Sequence, residues 1–72
     1  MIRTFHLFRE QDPGGVSGTG KVAEGCVLSN GCVMLLWLTK VASLSLFSSM
    51  ENLERIHGHK RFTKVVFDDE QN

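Results

Sequence analysis

The stretch Cys26-Val27-Leu28-Ser29-Asn30-Gly31-Cys32-Val33-Met34-Leu35-Leu36-Trp37 decides the fold. An Asn-Gly pair between two apolar runs is a strong hairpin signal. The two-residue type I′ turn needs positive φ at both central residues, and its twist matches that of paired strands. Centred on Asn30-Gly31, the turn predicts strands 21–29 and 32–39. Leu28 then lies opposite Val33, Val27 opposite Met34 and Cys26 opposite Leu35, out to Ala23 opposite Leu38. Side chains alternate across a strand, so one predicted face carries Val22, Glu24, Cys26, Leu28, Val33, Leu35 and Trp37. The other carries Ala23, Gly25, Val27, Ser29, Cys32, Met34, Leu36 and Leu38. A sheet with one wet face alternates apolar and polar residues; here both faces are largely apolar, and both call for a cover.

Outward from the hairpin, residues 2–9 read as a first strand, with Phe5 and Leu7 on one face. Gln11-Asp12-Pro13-Gly14-Gly15 breaks regular structure, because proline fixes φ and lacks an N–H while glycine opens positive φ. Ser43 to Phe47 reads as a fourth strand. Ser48-Ser49-Met50-Glu51 predicts a capping box with Ser48 as the cap, and a helix over 49–57 follows. Its apolar stripe is Met50, Leu53 and Ile56, and Gly58 is placed to end it. Residues 62–67 read as a last strand. Asp68-Asp69-Glu70-Gln71-Asn72 reads as a flexible acidic tail. The expected fold class is α+β: a small antiparallel sheet of four to five strands with one short helix on one face, in the order β-β-β-β-α-β. Residues 1–67 form a single domain.

Seventy-two residues bury only roughly 60% of the surface that the unfolded chain exposes, which leaves little room for a deep walled site. Eight Lys and Arg balance eight Asp and Glu, so no overall field draws the chain to nucleic acid or an anionic membrane. The longest apolar run, Cys32 to Leu38, falls well short of the ~20 residues of a membrane span. Two cysteines, Cys26 and Cys32, on opposite predicted faces read as reduced thiols of a cytoplasmic protein.

Several motifs offer chemistry and are outweighed by plainer readings. Gly15-Val16-Ser17-Gly18-Thr19-Gly20-Lys21 fits G-x-x-x-x-G-K, but a phosphate loop needs Ser or Thr next and then a helix; Val22 and a strand follow. His57 and His59, one residue apart, are weak metal candidates, since structural zinc sites show two tight ligand pairs. His57 also fits the plainer role of a cation at a helix C-terminus. Serines, threonines and histidines are present, yet no G-x-S-x-G elbow is, so no catalytic residue and no cofactor is assigned. Arg55, Lys60, Arg61 and Lys64, with Phe62 between them, form a basic cluster able to hold a nucleic-acid backbone, or simply a charged edge strand.

The two-faced hairpin points elsewhere. With the helix stripe set against Val33, Leu35 and Trp37, the residues Val27, Met34, Leu36 and Leu38 are left as an exposed apolar surface, which marks an interface on a small protein. Methionine suits such a surface because it adapts to irregular shapes. The competing reading folds the first strand or residues 40–47 over that face.

Val16-Ser17-Gly18-Thr19-Gly20, Ala23-Glu24-Gly25, Gly31, Trp37, Ser49 with Glu51, Ile56-His57-Gly58-His59 and Val65-Val66-Phe67 resemble a family of short proteins of tailed bacteriophages and of bacterial and archaeal genomes. The resemblance covers most of the chain and brings no activity with it. In that family polar residues stand where this chain has Val27 and Leu36, and a glycine stands where it has Lys60. The resemblance therefore implies that the Val27/Leu36 face is the solvent side, made apolar here. The expectation is a non-catalytic protein-binding module, possible as a phage-encoded inhibitor of a host defence or transcription factor in the host cytoplasm. The alternatives are a nucleic-acid binder using the basic cluster, and a homodimer in which two apolar patches cover each other about a twofold axis.

Overall fold

The computed structural model describes residues 1–10, 19–57 and 63–70. Five strands, β1 (Arg3–Arg9), β2 (Gly20–Val27), β3 (Val33–Trp37), β4 (Ser43–Phe47) and β5 (Thr63–Phe67), form one sheet in the order β4-β3-β2-β1-β5. Every neighbouring pair is antiparallel. Helix α1 (Met50–His57) lies in the chain between the two edge strands. The α+β fold and element order are those expected from the sequence.

The hairpin register is not. Val27 pairs with Val33, Cys26 with Met34 and Ala23 with Trp37, one residue away from the expected pairing. The cause is the turn. Gly31 N–H donates to Leu28 C=O (2.9 Å) and Leu28 N–H to Cys32 C=O (2.7 Å), so the loop has three residues, Ser29, Asn30 and Gly31. Gly31 takes the left-handed position at φ 94°, and the Asn30 side chain accepts from Cys32 N–H at 3.0 Å. A one-residue slip turns the β2 side chains from Ala23 to Val27 to the other face, while Val22, at a bulge, stays on the buried side. Val27 thereby joins the inner face, packed against the core, instead of the exposed patch. Glu24 moves out to solvent.

The inner face holds the core: Phe5, Leu7, Val22, Ala23, Val33 and Leu35, closed by Leu53 of α1. A bulge between Leu7 and Phe8 in the β1–β2 ladder lets Val22 and Ala23, adjacent in sequence, both be buried. Gly25 sits where a Cβ would overlap the Met34 carbonyl oxygen and stand 2.9 Å from Phe5 Cζ. Absence of a side chain there lets the Phe5 ring lie close over the Gly25 backbone.

The helix begins one residue later than the predicted box. Ser49, not Ser48, is the cap: its Oγ accepts from Asn52 N–H (3.1 Å), and its carbonyl accepts from Leu53 N–H (3.3 Å). Ser48 Oγ receives the Asn52 side chain at 2.6 Å instead. The buried stripe also differs. Met50 and Leu53 face the core, but Ile56 is 55% exposed. His57 occupies the next inward position, its ring 4.9 Å from that of Trp37 and 5.8 Å from that of Phe47.

Asp68 to Glu70 form one 3-10 turn fixed to β1, not the start of a loose tail. Arg3 donates to Asp69 through Nε and Nη2, both at 2.9 Å, and Thr4 Oγ1 donates to Asp68 at 2.6 Å. The pairing of β5 beside β1 brings these chain-distant groups together.

Candidate functional site

The outer face of the sheet can be read from its cross-strand rows. One row runs Thr4, Cys26, Met34, Leu46, and the next Val66, His6, Glu24, Leu36, Leu44. A third runs Lys64, Phe8, Lys21. The face is divided: β1 and β2 give it hydroxyl, imidazole and charge, while β3 and β4 give it only apolar side chains. Between Glu24 and Glu51 the single charged residue is Lys40.

The apolar half is open. Leu44 is 58% exposed and Leu46 72%, beside half-buried Met34 and Leu36. Helix α1 lies against the inner face, where Leu53 enters the core, so it does not cover them. A groove of about 580 Å³ lies at the turn end of this half, bordered by Leu28, Cys32, Met34, Leu44 and Leu46 and reaching Val33 and Phe47. A second cleft of about 400 Å³ lies where the halves meet, between Lys21, Glu24, Cys26, Met34 and Asp68. Segment 43–47 extends the sheet edgewise and does not fold over the face.

Of the four expected interface residues, Met34 and Leu36 stand side by side on this surface. Leu38 follows the end of β3, 44% exposed, with its N–H bonded to Val22 C=O at 3.0 Å. Val27 is on the opposite face. The residues that sequence reasoning missed are Leu44 and Leu46. Their signal was present in the alternation Ser43-Leu44-Ser45-Leu46, which places both leucines on one face of a strand.

The basic cluster does not assemble from its described members. Arg55 is exposed on α1, on the inner side, whereas Lys64 shares the outer row with Phe8 and pairs with Glu10. Lys60 and Arg61 lie outside the described residues. So does His59, while its expected companion His57 is packed between Trp37 and Phe47. Among the described residues no group of three or more His, Cys, Asp or Glu side chains is arranged to hold a metal ion. The corrected register turns Cys26 to the outer face, and Cys32 borders the outer groove, so opposite faces do not separate them. Both are free thiols. Residues 15–18 of the glycine-rich motif lie outside the described residues; its last two, Gly20 and Lys21, open strand β2.

The polar corner is electrostatically organised. The Thr4 hydroxyl first, then His6 at 3.4 Å, hold the Asp68 carboxyl below its ordinary value. The Arg3 guanidinium does the same for Asp69, and Arg3 is itself held more firmly protonated. That guanidinium also lies 3.8 Å over the Phe67 ring. Asp68 and Asp69 thus serve to fasten the 3-10 turn to β1.

Among the described residues no helix is long and apolar enough to cross a membrane. A model of the Acb5 phage protein family matches residues 2–69. No curated protein and no solved structure matches the chain.

Proposed function

The chain belongs to the Acb5 phage protein family, and we propose that it acts without catalysis, by docking a protein of the bacterial host onto the apolar half of its outer sheet face. The observation that carries this reading is the uncharged surface of Met34, Leu36, Leu44 and Leu46, with the two β4 leucines more than half exposed beside a groove. Contiguous open apolar surface on a small domain is costly to leave in water and marks a partner site. A phage protein of this kind meets its partner in the host cytoplasm. A component of a defence or transcription system, inhibited by occlusion of one of its surfaces, fits that setting.

The experiment compares the wild type with Met34→Lys/Leu36→Lys in affinity capture from nuclease-treated host extract. One protein retained in stoichiometric amount by the wild type and lost with the variant supports the reading, provided the variant keeps its circular dichroism spectrum. Equal recovery on both opposes it.

A second reading has one observation behind it. Phe8, 40% exposed, lies between Lys64 and Lys21 on the outer face, and an aromatic ring flanked by cations can stack a base of a single strand. Both lysines already have carboxylate neighbours, Glu10 and Glu24, which weakens their hold on phosphate. This reading requires affinity for oligonucleotides that falls steeply with salt and is lost with Phe8→Ala.

A further inference from the structure

The two edges of the sheet are finished differently. At β5 the outer side chain Lys64 makes an ion pair with Glu10, and a charged residue of this kind discourages another strand from pairing with an edge. At β4 the sequence is Ser43-Leu44-Ser45-Leu46-Phe47, and no charge occurs from Val41 to Met50. Among the described residues β4 pairs with β3 alone, so the outward half of its backbone N–H and C=O groups faces away from the sheet. An uncharged edge strand carrying two exposed leucines is a template for strand addition.

We propose that β4 pairs with β4 of a second copy of the chain, antiparallel about a twofold axis through Ser45, to give a continuous ten-stranded sheet. The sequence of the strand fits itself in this arrangement. Opposed residues in an antiparallel pair share a face, so the axis sets Leu44 of one copy against Leu46 of the other on the outer side. Ser45 meets Ser45, and Ser43 meets Phe47, on the inner side. A twofold contact repeats every group opposite its own kind, and like charges placed so are destabilising; β4 has none. The five-residue edge and four leucines make an interface at the small end of the size range, below ~1,200 Å² in total. A contact of this size makes the dimer concentration-dependent. Edge pairing shares Leu44 and Leu46 with the host-protein surface but uses the free backbone edge of β4, and it leaves Met34 and Leu36 of both copies open on one side of the joined sheet, so either reading can fail without the other.

The test is sedimentation equilibrium of the full chain from about 1 to 200 µM, which needs no partner. The wild type is expected to rise from its 8.1 kDa chain mass to twice that value. Leu44→Lys/Leu46→Lys, which sets lysine against lysine, is expected to stay monomeric throughout. Leu44→Glu/Leu46→Lys sets each glutamate against the other copy's lysine and is expected to restore the dimer, now weakened at least several-fold by 0.5 M salt. If the double lysine variant loses its circular dichroism spectrum, Leu46→Lys takes its place. A monomeric wild type at 200 µM overturns the proposal. So does a Glu/Lys variant as monomeric as the Lys/Lys one, or a dimer abolished only by Met34→Lys/Leu36→Lys, which would mean face-to-face packing.

Discussion

Along β3 the two faces of the sheet carry similar apolar residues and have opposite fates. Val33 and Leu35 on the inner face are fully buried, while Met34 and Leu36 on the outer face are only half-buried. On β4 the outer leucines are mostly open. The difference comes from α1, whose Leu53 closes the inner face, and from chain length. One eight-residue helix can cover one side of five strands and no more. Side-chain apolarity alone does not say which face is core; the position of the single cover does.

The comparison is broken most directly by paired truncations. Leu35→Ala removes a fully buried side chain and is expected to cost about 2–5 kcal/mol, a fall in Tm of roughly 8 °C or more at the ~4–8 °C per kcal/mol typical of this chain length. Leu46→Ala is expected to stay within about 0.5 kcal/mol. Comparable losses from both, in thermal melts followed by circular dichroism, would mean that the outer face is also core. Gly25→Ala probes the inner face between Phe5 and Leu35. The added methyl meets Phe5 and the Met34 carbonyl, with an expected cost of about 1–3 kcal/mol, whereas an ordinary exposed strand glycine would gain from the change.

Smaller effects sharpen the account of how the cover is set in place. Ser49→Ala removes the oxygen that accepts from Asn52 N–H and is expected to cost about 1 kcal/mol. Ser48→Ala, which loses only an exposed side-chain contact, should cost clearly less; the reverse order would restore Ser48 as the cap.

The smallest effect concerns acid. Asp68 and Asp69 have folded-state values below the ordinary 3.8, so their contribution is fully present above that value and is lost as pH falls through the lowered ones. Both are exposed and screened, so the slope of Tm against pH should be shallow, confined to the region below about pH 4. Asp69→Asn should flatten it further. An unchanged slope in that variant would separate the Arg3 contact from acid stability.

The sequence made the elements legible because each has a local cause. The glycine turn separates two strands, a serine caps the helix, and alternation marks β4. What it hid were one-residue choices that local signals leave nearly balanced. Asn30-Gly31 serves a two-residue turn and, with Ser29, a three-residue one; only packing of Ala23 inside and Glu24 outside selects the second. Ser48 and Ser49 are equivalent caps until Leu53 has to face the core. Ile56 and His57 compete for the last inward position, which His57 takes between Trp37 and Phe47. The anchoring of Asp68 and Asp69 was illegible for another reason: their partners Thr4 and Arg3 are more than sixty positions away in sequence and become neighbours only when β5 joins β1.

The central claim is that the Met34/Leu36 side of the sheet is a docking surface for a host protein. The most direct measurement is quantitative capture from nuclease-treated host extract by the wild type, by Met34→Lys/Leu36→Lys and by Phe8→Ala, each checked for an intact melt. The account predicts one stoichiometric protein, kept by the wild type and Phe8→Ala and absent from the double lysine variant. Equal recovery by all three, or a partner lost only with Phe8→Ala, would contradict it.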